Sequence, residues 1–171
     1  MKANDAIIAD ERHVGLVDEL LANTQVLLTA GGSAQNSMRM AQWMMDEVSA
    51  SAFVGCIGED SNSRLIEEVA KKEGLLTEYF HTSLSPTGTC VCLLTAGGEN
   101  RSLVASLGAA RYFDAGAIRS ERVMRLLQEC RLVYTTGFFL DATFESVSAL
   151  AAYACEQQKV GRPIGSPSAN H

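Results

Sequence analysis

No apolar run in this sequence approaches the roughly 20 residues that a membrane-spanning helix needs. Basic charge is also scarce. Fourteen Lys and Arg stand against 20 Asp and Glu, for a net charge of −6, and no basic cluster exceeds Lys71-Lys72. This argues against a protein that grips a nucleic-acid backbone. There is no C-x-x-C, the five cysteines are odd in number, and the three histidines are scattered. A zinc site is therefore not expected. Cys90 and Cys92 fall two apart on a predicted strand, share its face and do not easily bridge. The cysteines read as reduced and the chain as intracellular: cytoplasmic, with the nucleus also compatible. The start, "MKANDAIIADERH", is too charged for a signal peptide. Three familiar motifs are missing: the G-x-x-x-x-G-K-[ST] phosphate loop, G-x-G-x-x-G and G-x-S-x-G.

What is present suits one domain. The chain has 171 residues, and 47% are hydrophobic, ample for a core. Residues 5–10 and 25–30 read as short strands flanking a first helix in "ERHVGLVDELLA". Residues 34–48 read as a helix with Met40, Ala41, Met44, Met45 and Val48 on one side, and Ser33 is its candidate N-cap. "AFVGCIG" (52–58) reads as a buried strand. Asp60 or Ser61 can cap a helix over 64–73, which Gly74 ends. Two apolar runs, 87–96 and 101–107, are joined by "GGEN" and predict a hairpin. Ser120 starts a helix through Glu129, residues 131–136 predict a strand, and "TGFFLDATFE" leads into a helix reaching about 158. The alternation predicts an α/β layered domain. The tail "GRPIGSPSANH" holds two of the three prolines and breaks the pattern.

Three places carry candidate chemistry. In "TAGGSAQNSMRMAQWMM", two glycines precede the helix start, where free N–H groups can hold a small polar ligand. Asn36, one turn in, offers donors and an acceptor to vicinal hydroxyls; equally, backbone groups can satisfy it. Arg101 follows the "GGEN" turn and suits a carboxylate or phosphate; a solvated arginine at a hairpin tip is the plainer alternative. Phe138 and Phe139 follow Gly137 at the carboxyl end of the predicted strand, where ligands bind in open α/β sheets. They could stack on a base, or simply fill the core.

Taken in order, these pieces resemble the ribokinase-like (PfkB) carbohydrate kinases, in particular their eukaryotic-type adenosine kinase branch. The resemblance runs from about Asn4 to Val160. It is carried by "NDAIIADERH", "GGSAQNS", "AQWM", "FVGCIGED", "PTGTCVCLLT", "NRSLVASLGAA" and "VYTTGFFL…ESV". Ser63 departs from it, since the family has glycine there; the difference bears on the helix start.

The resemblance implies a ribokinase-like layered α/β sheet with a small β lid, truncated at both ends relative to the family. Residues 1–160 would be the N-terminal portion, with lid strands around 5–10 and 25–30, and 161–171 a divergent tail. It implies transfer of the ATP γ-phosphate to the 5′-hydroxyl of adenosine, giving AMP for purine salvage, with Mg²⁺ accompanying ATP. Gly32, Ser33 and Asn36 would hold the ribose, and Phe138 would stack on adenine. Ile8, Cys90, Leu103 and Ala105 would line the nucleoside pocket. Arg101 would face the transferred phosphate. The family's "NPLLD"-like aspartate and its "DTxGAGD" base do not occur in this sequence, so these 171 residues alone are expected to be inactive. Two other readings stand: a different PfkB nucleoside or sugar kinase, or a non-catalytic module that binds a nucleoside, another protein or itself.

Overall fold

The computed structural model describes residues 2–13, 15–22 and 26–157. Gln25 and everything from residue 158 onward lie outside them, and with them the predicted helix end at 158 and the divergent tail. No helix among the described residues is long and apolar enough to cross a membrane.

The described strands form two sheets. β1 (Ala6–Ile8), β4 (Thr89–Thr95) and β5 (Asn100–Ser106) make a three-stranded sheet in the order β1-β5-β4. β5 is parallel to β1 and antiparallel to β4. β2 (Ala52–Gly58) and β3 (Leu76–Thr82) pair in parallel along seven residues each. The hairpin over "GGEN" is as the sequence predicts, tightened by a 3-10 turn at Ala96–Gly98. β3 has no counterpart in the sequence reading. The strand expected over 25–30 is absent at 26–30, and the one over 131–136 does not form. Residues 131–136 pair with no strand among the described residues, and an apolar run without a ladder partner cannot be a strand.

The helices are α1 (Leu16–Leu21), α2 (Ser33–Met45), α3 (Ser61–Lys72), α4 (Ala115–Ile118), α5 (Glu121–Glu129), α6 (Gly137–Ala142) and α7 (Phe144–Glu156). The helix that "TGFFLDATFE" leads into is α7, and the segment itself holds a further short helix, α6, separated from it at Thr143. α3 starts on a reciprocal cap: Asp60 Oδ1 accepts the Ser63 N–H at 2.9 Å, and Ser63 Oγ lies 3.3 Å from the Asp60 N–H. Ser63, the departure from the family pattern, therefore does its work at the helix start.

α2 corrects the sequence reading twice. Gly32, not Ser33, is the cap residue; its φ of +97° turns the chain into the helix, and Ser33 is already helical. The helix also stops at Met45, because Asp46 turns left-handed at φ +49°. Its apolar residues face outward, with Trp43 76% and Met44 72% exposed, while Gln35 and Gln42 are buried. Gln42 is satisfied there. Its amide oxygen accepts the Ser51 N–H at 3.0 Å, and its NH₂ donates to the Glu47 carbonyl.

The core gathers Cys56 of β2 with Ala109, Phe113, Ala117, Ile118, Val123 and Leu127. Phe113 centres it, with the rings of Phe80 and Phe139 both 5.5 Å away. Ser146 of α7 donates to the Phe113 carbonyl at 3.0 Å and ties that helix to the core.

Candidate functional site

Strand register brings five of the sequence-predicted residues together. Residues in register share a sheet face, and alternate residues along one strand do the same. Ala105 of β5 stands between Ile8 of β1 and Cys90 of β4. Leu103 stands between Ala6 and Cys92 in the next row, and Arg101 faces Leu94 beyond it. The opposite face carries the buried Ser102 and Val104. The predicted residues thus occupy the open face: an apolar strip of Ile8, Ala105 and Leu103, two thiols at its edge and a cation at one end. Cys90 is exposed on this face; partial desolvation and then Cys92 push its thiol up, while the Arg101 charge opposes them.

Arg101 is held by its backbone, not its side chain. Its N–H donates to Asn4 Oδ1 at 2.8 Å, and the Asn4 amide donates to Asn100 Oδ1 at 3.0 Å. Asn4 takes a left-handed φ of +63°, a conformation asparagine tolerates better than most residues. Among the described residues the Arg101 guanidinium has no hydrogen-bond or ion-pair partner, so its charge remains available to a ligand. This contrasts with Arg12, Arg39, Arg122 and Arg125, each paired to a carboxylate.

The second group sits at the start of α2. Gly32 and Ser33 form the mouth of the helix, and the Asn36 N–H closes the first turn on the Gly32 carbonyl at 2.8 Å. Asn36 is exposed, and its side-chain oxygen accepts from Arg39 at 3.0 Å. Phe138 stands on a third element, in the first turn of α6, where it is half-buried. The predicted strand end that motivated it does not exist. Its neighbour Phe139 is the one that packs against Phe113.

The "PTGT" loop that leads into β4 is pinned to the carboxyl end of β2. The Thr87 N–H donates to Asp60 Oδ2 at 2.7 Å and its hydroxyl to Asp60 Oδ1 at 2.8 Å. The Gly58 N–H donates to Thr87 Oγ1 at 3.0 Å. Burial pushes the Asp60 carboxyl up, but the donors of Thr87, Ser63 and Asn62 outweigh it and hold it below the usual carboxylate range. Asp60 thus caps α3 and fixes the loop that launches β4, one residue before Cys90. The sequence reading assigned it only the first role. Two open clefts lie elsewhere, one along Glu78–His81 and the start of α5, the other between Phe80, Tyr112 and Phe144. Neither includes the open sheet face. No group of three or more His, Cys, Asp or Glu side chains gathers as a metal site among the described residues.

The family model "pfkB family carbohydrate kinase" matches residues 1–168. The chain belongs to this family of carbohydrate kinases. Among relatives, "Adenosine kinase 1" of Arabidopsis thaliana is 35% identical over 161 residues, covering 94% of this chain and 46% of the relative. "Adenosine kinase" of Schizosaccharomyces pombe is 35% identical over 159 residues, covering 93% and 45%. The chain therefore spans about half the length of the curated relatives it matches. Among solved structures, Anopheles gambiae adenosine kinase in complex with P1,P4-di(adenosine-5) tetraphosphate superimposes with a TM-score of 0.88 at 38% identity, covering 94% of this chain and 48% of that one. Schistosoma mansoni adenosine kinase in complex with adenosine in an occluded loop conformation gives 0.87 at 27% identity, covering 94% and 46%. The ribokinase-like α/β fold expected from the sequence is thereby established for this PfkB chain, as two sheets with flanking helices rather than one central sheet.

Proposed function

We propose that this chain carries the nucleoside-binding part of a kinase that transfers the ATP γ-phosphate to the 5′-hydroxyl of adenosine, giving AMP in purine salvage. The observation that carries the reading is the open sheet face, where an apolar strip ends in an unpaired cation. The likeness to structures with adenosine and a diadenosine tetraphosphate supports it. The nucleoside lies along Ile8, Cys90, Leu103 and Ala105. Gly32, Ser33 and Asn36 take the ribose hydroxyls, and Phe138 stacks on the adenine ring. Arg101 faces the transferred phosphoryl group, whose loose transition state spreads negative charge over three oxygens that a preorganised cation stabilises.

ATP is the phosphate donor, and Arg101 is the group here that meets its γ-phosphate. Mg²⁺ would accompany ATP, held by the nucleotide phosphates and one or two carboxylates at most. We place the activity in the cytoplasm and nucleus, in keeping with five free cysteines. Calorimetric titration of the purified chain with adenosine, inosine, guanosine and ribose tests the reading. Adenosine should bind most tightly, and Arg101→Ala should leave that binding nearly unchanged. Ribose binding as tightly as adenosine would overturn it in favour of a sugar kinase.

A second reading, self-association, is favoured by the exposed Leu27, Trp43, Met44 and Val48. Light scattering after size exclusion at several concentrations decides it. A monomer at every concentration removes that reading.

A further inference from the structure

We propose that Arg39 is the positioning residue of the diglycine turn, and that it dictates which edge of the Asn36 amide a ligand meets. The inference rests on the reading that a nucleoside ribose sits at this turn. Arg39 lies on α2 and makes four bonds in three directions. Its Nε and Nη2 grip Glu73 in fork geometry at 2.5 and 2.6 Å. Its Nη1 donates to the Ala30 carbonyl at 3.3 Å and to Asn36 Oδ1 at 3.0 Å. Ala30 directly precedes the two glycines, and Asn36 follows them by one helical turn. One planar group therefore clamps both sides of Gly31-Gly32.

Glu73 supplies the anchor. It is the residue at the end of α3, just before Gly74 turns the chain toward β3 at φ +73°. The turn is thus referenced to α3 and the β2-β3 layer rather than left to local backbone preference. Both partners respond to the pairing: the Arg39 hydrogen bonds hold the Glu73 carboxyl below its ordinary range.

The consequence for Asn36 follows from donor chemistry alone. A guanidinium has five donors and no acceptor. Only the carbonyl edge of an amide can face it, so the NH₂ edge must point away. Among the described residues that NH₂ has no partner. Arg39 thereby makes Asn36 a donor, matched to the lone pairs of ribose hydroxyl oxygens. Without Arg39 the amide can flip and present either edge, and the glycine turn loses its two ties.

The test compares the wild-type chain with Arg39→Met, Arg39→Lys and Glu73→Gln. It reads backbone hydrogen exchange at residues 31–36, the NMR signal of the Asn36 side-chain amide, and adenosine affinity. Arg39→Met should speed exchange at 31–36 and weaken adenosine binding by about tenfold or more each, since it removes the charge-assisted bonds to both Ala30 and Asn36 and one such bond alone is worth about tenfold. Exchange around Phe113 and Val123 should not change. Arg39→Lys should recover part of the loss, because an ammonium cannot span the carboxylate and both carbonyls. Unchanged exchange with an unchanged Asn36 signal overturns the inference, and so does a loosened turn with unaltered adenosine affinity. Should Arg39→Met fail to fold, Glu73→Gln decides on the same readouts: local loosening supports the inference and wild-type protection refutes it. A wild-type chain that binds no adenosine defeats the functional reading, while exchange and the Asn36 signal still decide the role of Arg39.

Discussion

Replacing Gly58 with alanine tests how the site is built more sharply than any change at its surface. Gly58 ends β2 and is buried. A Cβ added there would lie 2.6 Å from the Thr87 nitrogen, 2.8 Å from the Ser85 oxygen and 2.9 Å from the Pro86 carbonyl carbon. All three are backbone atoms, so no rotamer change relieves the clash. The loop must retreat by several tenths of an ångström. Thr87 cannot retreat freely, because Asp60 holds both its N–H and its hydroxyl and Gly58 donates to that hydroxyl. Overpacking costs about 1–3 kcal/mol, and each strained or lost bond adds about 1 kcal/mol. The expected loss is therefore about 2–4 kcal/mol, a large fraction of a typical domain stability of about 5–15 kcal/mol. In a chain of this size that lowers the melting temperature by roughly 4–16 °C. Urea unfolding followed by circular dichroism, with thermal melts beside it, measures the effect. Gly31→Ala is the control: a Cβ there meets nothing within 4 Å, so stability should stay within about 0.5 kcal/mol. A Gly58→Ala chain as stable as that control would refute the pinned loop.

Asp60 makes stability depend on acid. Its folded pKa is depressed, so its contribution is complete above the unfolded value of about 4 and disappears as pH falls through the folded value. The difference in urea midpoint between wild type and Asp60→Asn should be largest near neutrality and shrink toward pH 3; a constant gap contradicts the assignment. Phe113→Ala removes the ring between Phe80 and Phe139 and should cost about 3–5 kcal/mol in urea unfolding, with a loss under 1 kcal/mol counting against the core described. In a coupled assay with adenosine and MgATP, these 171 residues alone should show no phosphorylation, because no group recognised in this sequence acts as the general base, whose proton abstraction is worth about 10²–10⁴-fold. Turnover that vanishes in Arg101→Ala would mean that an unrecognised base acts here.

Elements announced by local chemistry were legible. Asp60 and Gly74 bracket α3, Ser120 caps α5 through the Val123 N–H, and "GGEN" folds the hairpin. Where two local signals competed, sequence reading favoured the wrong one. Ser33 is a good capping residue, yet the φ of +97° at Gly32 already starts the helix. Elements that depend on distant pairing were not legible. β3, "LTEYFHT", mixes Glu78 and His81 with Tyr79 and Phe80, so it shows no apolar alternation. It exists because β2 offers a parallel ladder from Leu76 to Thr82. Residues 131–136 are the converse, a strand-like composition without a ladder.

The site divides along the same line. Ile8, Cys90, Leu103, Ala105 and Arg101 are separated widely in sequence, yet a period of two and one hairpin register suffice to put them on one face. Phe138 lacked such a constraint, and its argument leaned on a strand that does not form. Arg39 was invisible for a different reason. On α2 it is one basic residue among methionines, and nothing near it in sequence signals a role. Its meaning comes from Glu73, 34 residues away, which converts a mobile cation into a fixed fork. A motif such as G-G-x-x-x-N names the glycine turn and the asparagine, while Arg39, the side chain that sets which edge of that asparagine faces outward, is not among its fixed positions. At this turn, orientation is a tertiary property: the fork between Arg39 and Glu73 fixes which edge of the Asn36 amide faces outward.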